Sequence, residues 1–273
     1  MTLEILICTI DEGINRVADM LLPQATGLRY LVSWQQTGKV APMVPARLRR
    51  SDVHVFTLQG NGLSRNRNNA LRHASGDICL IADDDLVLLP DGLRALVATF
   101  EQHPELDFAT FRYTSQADNK TYPDHEFDLH SFPKNYFISS IEIAFRRTSV
   151  QSRLWFDEHF GLGAPVLGAG EESVWVHDAL SMGMQARFFP ITIATHNHPT
   201  TGTRLAAKPE VVMANGAYLY IAHRHNHMLL RALLMAWRVS RKGDTSLPKA
   251  LNWVMKGIDY AKSLPRPARP AQP

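Results

Sequence analysis

Three adjacent carboxylates, Asp83, Asp84 and Asp85, follow the apolar run Ile78 to Ala82. Acids crowded at one strand end repel one another unless a cation lies among them. Hard oxygen ligands of this kind select Mg²⁺ or Mn²⁺ over softer metals. On an extended chain alternate side chains share a side, so Asp83 and Asp85 can reach one ion. Such an ion could hold a diphosphate and neutralise its charge as it leaves. A solvated acidic turn or a helix N-cap has the same appearance, and spacing alone does not separate the three.

Two more clusters could do chemistry. Glu171-Glu172 follows Gly168-Ala169-Gly170 at a predicted helix start. Acids in a first turn are favoured by the helix dipole whatever their use. One of them can also act as a general base. Thr195-His196-Asn197-His198-Pro199 places two imidazoles at a strand end, where either can complete a metal site or meet a phosphate. His223, His225 and His227 alternate within a predicted helix and so share no face. They are expected to be solvated or at an interface.

The elements that must position these groups alternate. Leu3–Thr9, Leu28–Ser33, Val53–Leu58, Ile78–Ala82 and Asp107–Arg112 read as strands, and Ile138–Phe145 resumes that character. Ile14–Leu22, Leu63–Ala74 and Asp91–His103 read as helices, the last with Asp91 as N-cap. Such alternation implies an α/β fold with a mostly parallel central sheet covered by helices on both faces. Ligands of such sheets sit beyond the carboxyl ends of the strands, where Asp11 and Asp83–Asp85 fall. Ser115–Pro133 reads as a long loop over that cleft, and Gly161–Gly170 as a mobile stretch before a helix at Glu171–Met182. Ala186–Ala194 gives one or two further strands. From Lys208 the chain reads as helical, and its Pro-rich end as disordered.

Composition narrows the class. The 273 residues are 45% hydrophobic and 20% charged, as in an ordinary globular protein. A net charge of +3 is too weak to argue for a general nucleic-acid binder, and no nucleic-acid partner is expected. Cys8 and Cys79 both fall in apolar runs, which suggests buried, inert thiols in a reducing cytoplasm. The N-terminus reads as a strand and not as a signal peptide, because Glu4, Asp11 and Glu12 come too early. Met228–Trp237 is about half the ~20 residues a membrane span needs. The longer stretch Met228–Lys242, which mixes Leu, Met and Trp with Arg231, Arg238, Arg241 and Lys242, suits a helix lying on an anionic membrane, or one packed on its own domain.

Four pieces occur in order: Gly62-Leu63-Ser64-Arg65-Asn66-Arg67-Asn68-Asn69-Ala70, Ala74-Ser75-Gly76-Asp77-Ile78, the apolar strand after it, and Ala82-Asp83-Asp84-Asp85. Together they resemble the core signature of family 2 glycosyltransferases, over roughly residues 1 to 200. The resemblance implies a GT-A-like nucleotide-binding domain at 1–205, and the pattern beyond it reads as a helical extension at 206–263 and a Pro-rich disordered tail at 264–273. It implies an inverting, Mn²⁺- or Mg²⁺-dependent transfer from a nucleotide sugar, UDP-linked by default, to a glycan or lipid-linked acceptor of bacterial surface polysaccharide synthesis. The expected place is the cytoplasm, with peripheral contact at the inner face of the membrane through the basic C-terminal helices.

The same resemblance assigns residues. Asp85 is the first metal ligand, with Asp83 next, near the ribose or the metal, and Asp84 behind both. Arg67 matches the Arg of the family's Arg-Asn pair, although Arg65 competes for that role. Thr9, Asp11 and Glu12 match the loop that meets the nucleobase, whereas Ser33-Trp34-Gln35 lacks the aspartate often found at the next strand end. Glu172 matches the catalytic base, with Glu171 as its alternative, and His198 matches a histidine before a proline near the metal and phosphates. A sugar nucleotidyltransferase would want a basic Gly-rich loop where Ile10-Asp11-Glu12-Gly13 is acidic. A binding protein without transferase activity would have lost Asp83, Asp85 or Glu172, all of which are present.

Overall fold

Seven of the eight residues of β1 (Leu3–Ile10) are buried, a pattern possible only for a strand covered on both faces. A computed structural model describes residues 1–39, 43–115, 120–133, 136–196, 208–223, 227–242 and 245–265. In it β1 pairs in parallel with β2 (Leu28–Gln36) and β4 (Ile78–Asp83), and β2 pairs in parallel with β3 (Val53–Gln59). The sheet continues through β8 (Ile143–Arg146), β6 (Phe108–Thr114), β9 (Ala186–His196) and the short β5 (Leu86–Leu88), with β7 (Phe127–Asp128) also on β9. Among the described residues only β8, β5 and β7 run against the rest. The predicted mixed α/β fold with a mostly parallel sheet is what forms.

By packing, the chain divides into two units. The first comprises residues 1–61, 65–155 and 183–198 and holds the whole sheet. Its main core joins Leu3, Ile5 and Ile7 of β1 to Ile14 and Val17 of α1 (Ile14–Met20) and to Leu93, Leu96 and Phe100 of α3 (Pro90–Gln102). The alternate residues Leu6 and Cys8 are buried too. α2 (Leu63–His73) delivers the Arg-Asn segment, and the short α4 (Arg147–Val150) follows β8.

The second unit comprises residues 62–64, 156–182 and 199–273. Phe160, Leu167 and Val174, the last on α5 (Glu171–Ser181), form one cluster with Ala214, Ala217 and Ile221 of α6 (Pro209–His223). A second cluster joins α6 to α7 (Met228–Lys242) and α8 (Leu247–Ser263). Helices α6 and α8 cross at glycines. A Cβ on Gly257 would lie 1.9 Å from Met213 O, and one on Gly216 2.3 Å from Val254 O, so neither position admits a side chain.

Three expectations need correction. Asp91 is not an N-cap: Leu89 is the cap and Pro90 starts α3, because proline's fixed φ suits the first helical position. Strand character over 138–145 begins only at Ile143, after a 3₁₀ turn at Ser140–Glu142. The Gly161–Gly170 stretch is tied down internally, by a bridge between Phe160 and Leu167 and a bond from Gly161 N–H to Leu167 O of 2.9 Å. Residues 186–196 form one strand, and His198 lies outside the described residues.

Candidate active site

Adjacent parallel strands end together, so the β1–β4 pairing that sets Cys8 opposite Asp83 also brings Thr9 toward the aspartate turn. The three carboxylates then diverge, each to its own partner. Asp84 is buried, accepting from the Thr9 hydroxyl at one oxygen and from Arg16 at the other, at 2.6 Å from Nη2. Asp83, at the end of β4, is 3.3 Å from Arg67 Nη2. Asp85, in the following turn, is 3.3 Å from His196 Nε2.

Helix α2 presents its polar residues inward. Arg67 is only 3% exposed and also donates to Ser140 Oγ at 2.7 Å. Asn66 donates to Thr9 O at 2.9 Å, and Asn69 to Ser33 Oγ at 2.8 Å. Arg65 points outward and is exposed, which separates it from Arg67. Arg67 meets the carboxylate of Asp83.

The loop after β1 is clamped as well. Trp34 Nε1 donates to Asp11 O at 2.9 Å, while the Thr37 N–H and hydroxyl donate to the Asp11 carboxylate at 2.8 and 2.7 Å. These bonds hold the Asp11 pKa below its ordinary value. Asp11 carries a positive φ of 45°, and Glu12 beside it is exposed. Thus β1 and β2 end in one fixed corner without an aspartate on β2. Cys8, directly behind the acids, is a neutral thiol, its pKa pushed up to about 12 by burial.

A divalent cation fits this set in one way. Asp83 and Asp85 retain side-chain exposures of 38% and 26%, and both offer hard oxygens. Among the described residues no group of three or more His, Cys, Asp or Glu side chains surrounds one point. The carboxylates present therefore suit a cation that keeps several of its positions for phosphate oxygens and water, as Mg²⁺-type sites commonly do.

Farther along the sheet, Tyr113 of β6 sits edge-on to His196 at 6.2 Å between ring centroids. A cavity of about 310 Å³ lies along β6, lined by Arg112, Tyr113, Thr114, Ser115 and Tyr122 among others. Hydroxyls and aromatic faces of this kind suit a sugar. Neither this cavity nor the His196–Asp85 contact was anticipated from sequence. The alternative histidine in Thr195-His196-Asn197-His198 was the available signal.

Glu171 and Glu172 belong to the second unit, in the first turn of α5. Gly170 precedes them at φ 84°, a conformation that favours glycine and turns the chain into the helix. Glu171 is buried beside Gly161, whereas Glu172 is half-buried in the electrostatic neighbourhood of Tyr218.

Residues 36–160 match the model of the family described as Glycosyl transferase family 2. No curated protein sequence matches the chain. Among solved structures it is similar to S. aureus TarS 1-349, with 13% identity, a TM-score of 0.60, and coverage of 96% of this chain and 91% of that one. The same protein in complex with UDP-GlcNAc gives 15% identity and a TM-score of 0.57 over 96% and 79%. The mannosyltransferase PcManGT from Pyrobaculum calidifontis, in complex with GDP-Man and Mn²⁺, gives 14% and 0.54 over 97% and 76%. At such identities the likeness is one of fold.

Proposed function

We propose that this chain, whose residues 36–160 match the model of glycosyl transferase family 2, is an inverting, metal-dependent enzyme moving a sugar from a nucleotide donor to a hydroxyl. The observation that carries this is the gathering of Thr9, Arg67, Asp83, Asp84 and Asp85 at the ends of two paired parallel strands. The similar structures with UDP-GlcNAc and with GDP-Man and Mn²⁺ support the donor class. UDP remains the default nucleotide. The acceptor is a glycan or lipid-linked sugar of surface polysaccharide synthesis, met at the inner face of the membrane.

Each residue then has a task. Asp85 and Asp83 would hold Mn²⁺ or Mg²⁺, and such an ion would supply charge neutralisation for the departing diphosphate. Arg67 holds Asp83 in place, and Asp84 ties the turn to Thr9 and Arg16. Asp11, Glu12 and Thr9 form the corner for the nucleobase. His198, outside the described residues, is assigned to the metal or phosphates by the sequence resemblance alone. Glu172 takes the proton of the acceptor hydroxyl while that oxygen attacks the anomeric carbon and the bond to the diphosphate breaks. Its greater exposure favours it over Glu171.

Two variants test the assignment, using purified protein, Mn²⁺ and a panel of nucleotide sugars. Asp85→Ala should lose metal-dependent donor binding and transfer together, and full activity would remove the metal assignment. Glu172→Gln should bind donor normally yet turn over about 10²–10⁴-fold more slowly. Undiminished turnover would exclude it as base.

A further inference from the structure

Helix α7 is covered on one side only. Ala232 and Ala236 are buried, and Met228, Met235 and Val239 pack beside them into the cluster shared with α6 and α8. Elsewhere on its circumference Leu229, Leu230, Leu233, Leu234 and Trp237 are 47–65% exposed. At about 100° per residue these five fall within roughly 140° of the circumference. A single exposed leucine needs no explanation, but a continuous stripe does.

The charges around the stripe say what covers it. Arg231 and Arg238 are exposed along one edge of it, exposed Arg241 lies within its arc, and the helix contains no Asp or Glu. From Arg224 to Lys262 there are eight Lys and Arg against Asp244 and Asp259 alone. The Arg241 guanidinium lies 5.4 Å from the centre of the Trp237 ring, joining charge to aromatic edge. A second copy of this chain is a poor fit, because a two-fold contact would bring like-charged arginine rows to one seam with no carboxylate from the helix to pair them. A span is excluded for this helix: among the described residues no helix is long and apolar enough to cross a membrane.

We infer that α7 is a docking helix for an anionic lipid surface, lying in the plane of the interface. Its leucines enter the acyl boundary, Trp237 sits at headgroup level and the arginines meet lipid phosphates. The docking rests on α7 alone. Only its link to a lipid-linked acceptor rests on the transferase activity proposed above.

Sedimentation of the full-length protein with vesicles tests this. With phosphatidylglycerol/phosphatidylethanolamine vesicles the protein should pellet, about tenfold more than with phosphatidylcholine, and salt should weaken the binding. Leu233→Glu/Trp237→Glu should lower partitioning on the anionic vesicles about tenfold or more while leaving the unfolding midpoint and donor binding unchanged. Arg238→Gln/Arg241→Gln should lower it severalfold; should the first variant not fold, this one decides. Wild-type protein left in the supernatant, or charge-bearing variants that bind as wild type, would overturn the inference. So would a dimer in sedimentation equilibrium that Leu233→Glu/Trp237→Glu dissolves, without vesicle binding. Vesicle binding with donor binding intact in Asp85→Ala would leave the docking standing and the transferase site refuted.

Discussion

At the level of single residues, the aspartate run divides labour by direction. Asp84 has both oxygens taken, one by Thr9 and one by Arg16. Asp84→Ala should therefore destabilise the fold by about 1–3 kcal/mol, because it strips a partner from the buried Thr9 hydroxyl. Arg16→Ala should cost less, since that side chain is 60% exposed and its pairing is screened. Urea unfolding of both variants and of the double would measure this; an undisturbed midpoint in Asp84→Ala would assign it to ligand instead. Alternation along an extended chain was enough to set Asp84 apart from its neighbours. What holds it was not legible, because Thr9 and Arg16 lie far away in sequence and reach it from the end of β1 and from α1. His196 beside Asp85 was hidden for the same reason: β9 reaches β5 from more than a hundred residues later.

Among elements, those set by local pattern were readable and those set by distant pairing were not. Apolar runs bounded by turn residues marked β1 to β4 and β6 closely. The three-residue β5 and the reversed direction of β8 depend on partners that no local window contains. Packing groups residues 156–182 with the C-terminal helices through Phe160, Leu167 and Val174, which periodicity does not announce.

The polar segment Ser115–Pro133, expected as a loop, conceals an anchor of the same distant kind. Lys120 donates to the fully buried Glu142, as does Tyr122 OH at 2.7 Å, and the Phe137 ring stands 4.1 Å from the ammonium. Burial raises the Glu142 carboxyl pKa, and Lys120 opposes that rise. Removing one partner strands the other charge in the interior, so Lys120→Met should cost about 3–5 kcal/mol. Lys120→Met/Glu142→Leu should recover most of that loss. Chemical denaturation of the two single variants and the double checks it, and strictly additive losses would refute the coupling.

For the molecule as a whole, the supply of ligands decides how metal and donor must bind. Asp83 and Asp85 keep more exposed carboxylate surface than Asp84, and the described residues contain no ready cluster of three ligands. A cation held this way completes its coordination with donor phosphates, so metal and nucleotide sugar should bind as one unit. Binding to the folded state alone stabilises it by about 2.7 kcal/mol when free ligand is 100-fold above Kd. For a chain of this size that amounts to a rise in Tm of about 5–10 °C. Mn²⁺ alone and UDP-sugar alone should each give a small fraction of that rise, and the two together the whole of it. Thermal unfolding with each component and with both is the measurement. A full shift from Mn²⁺ alone would reveal a protein cage for the metal, and additive shifts would mean that the cation and the nucleotide sugar occupy separate sites.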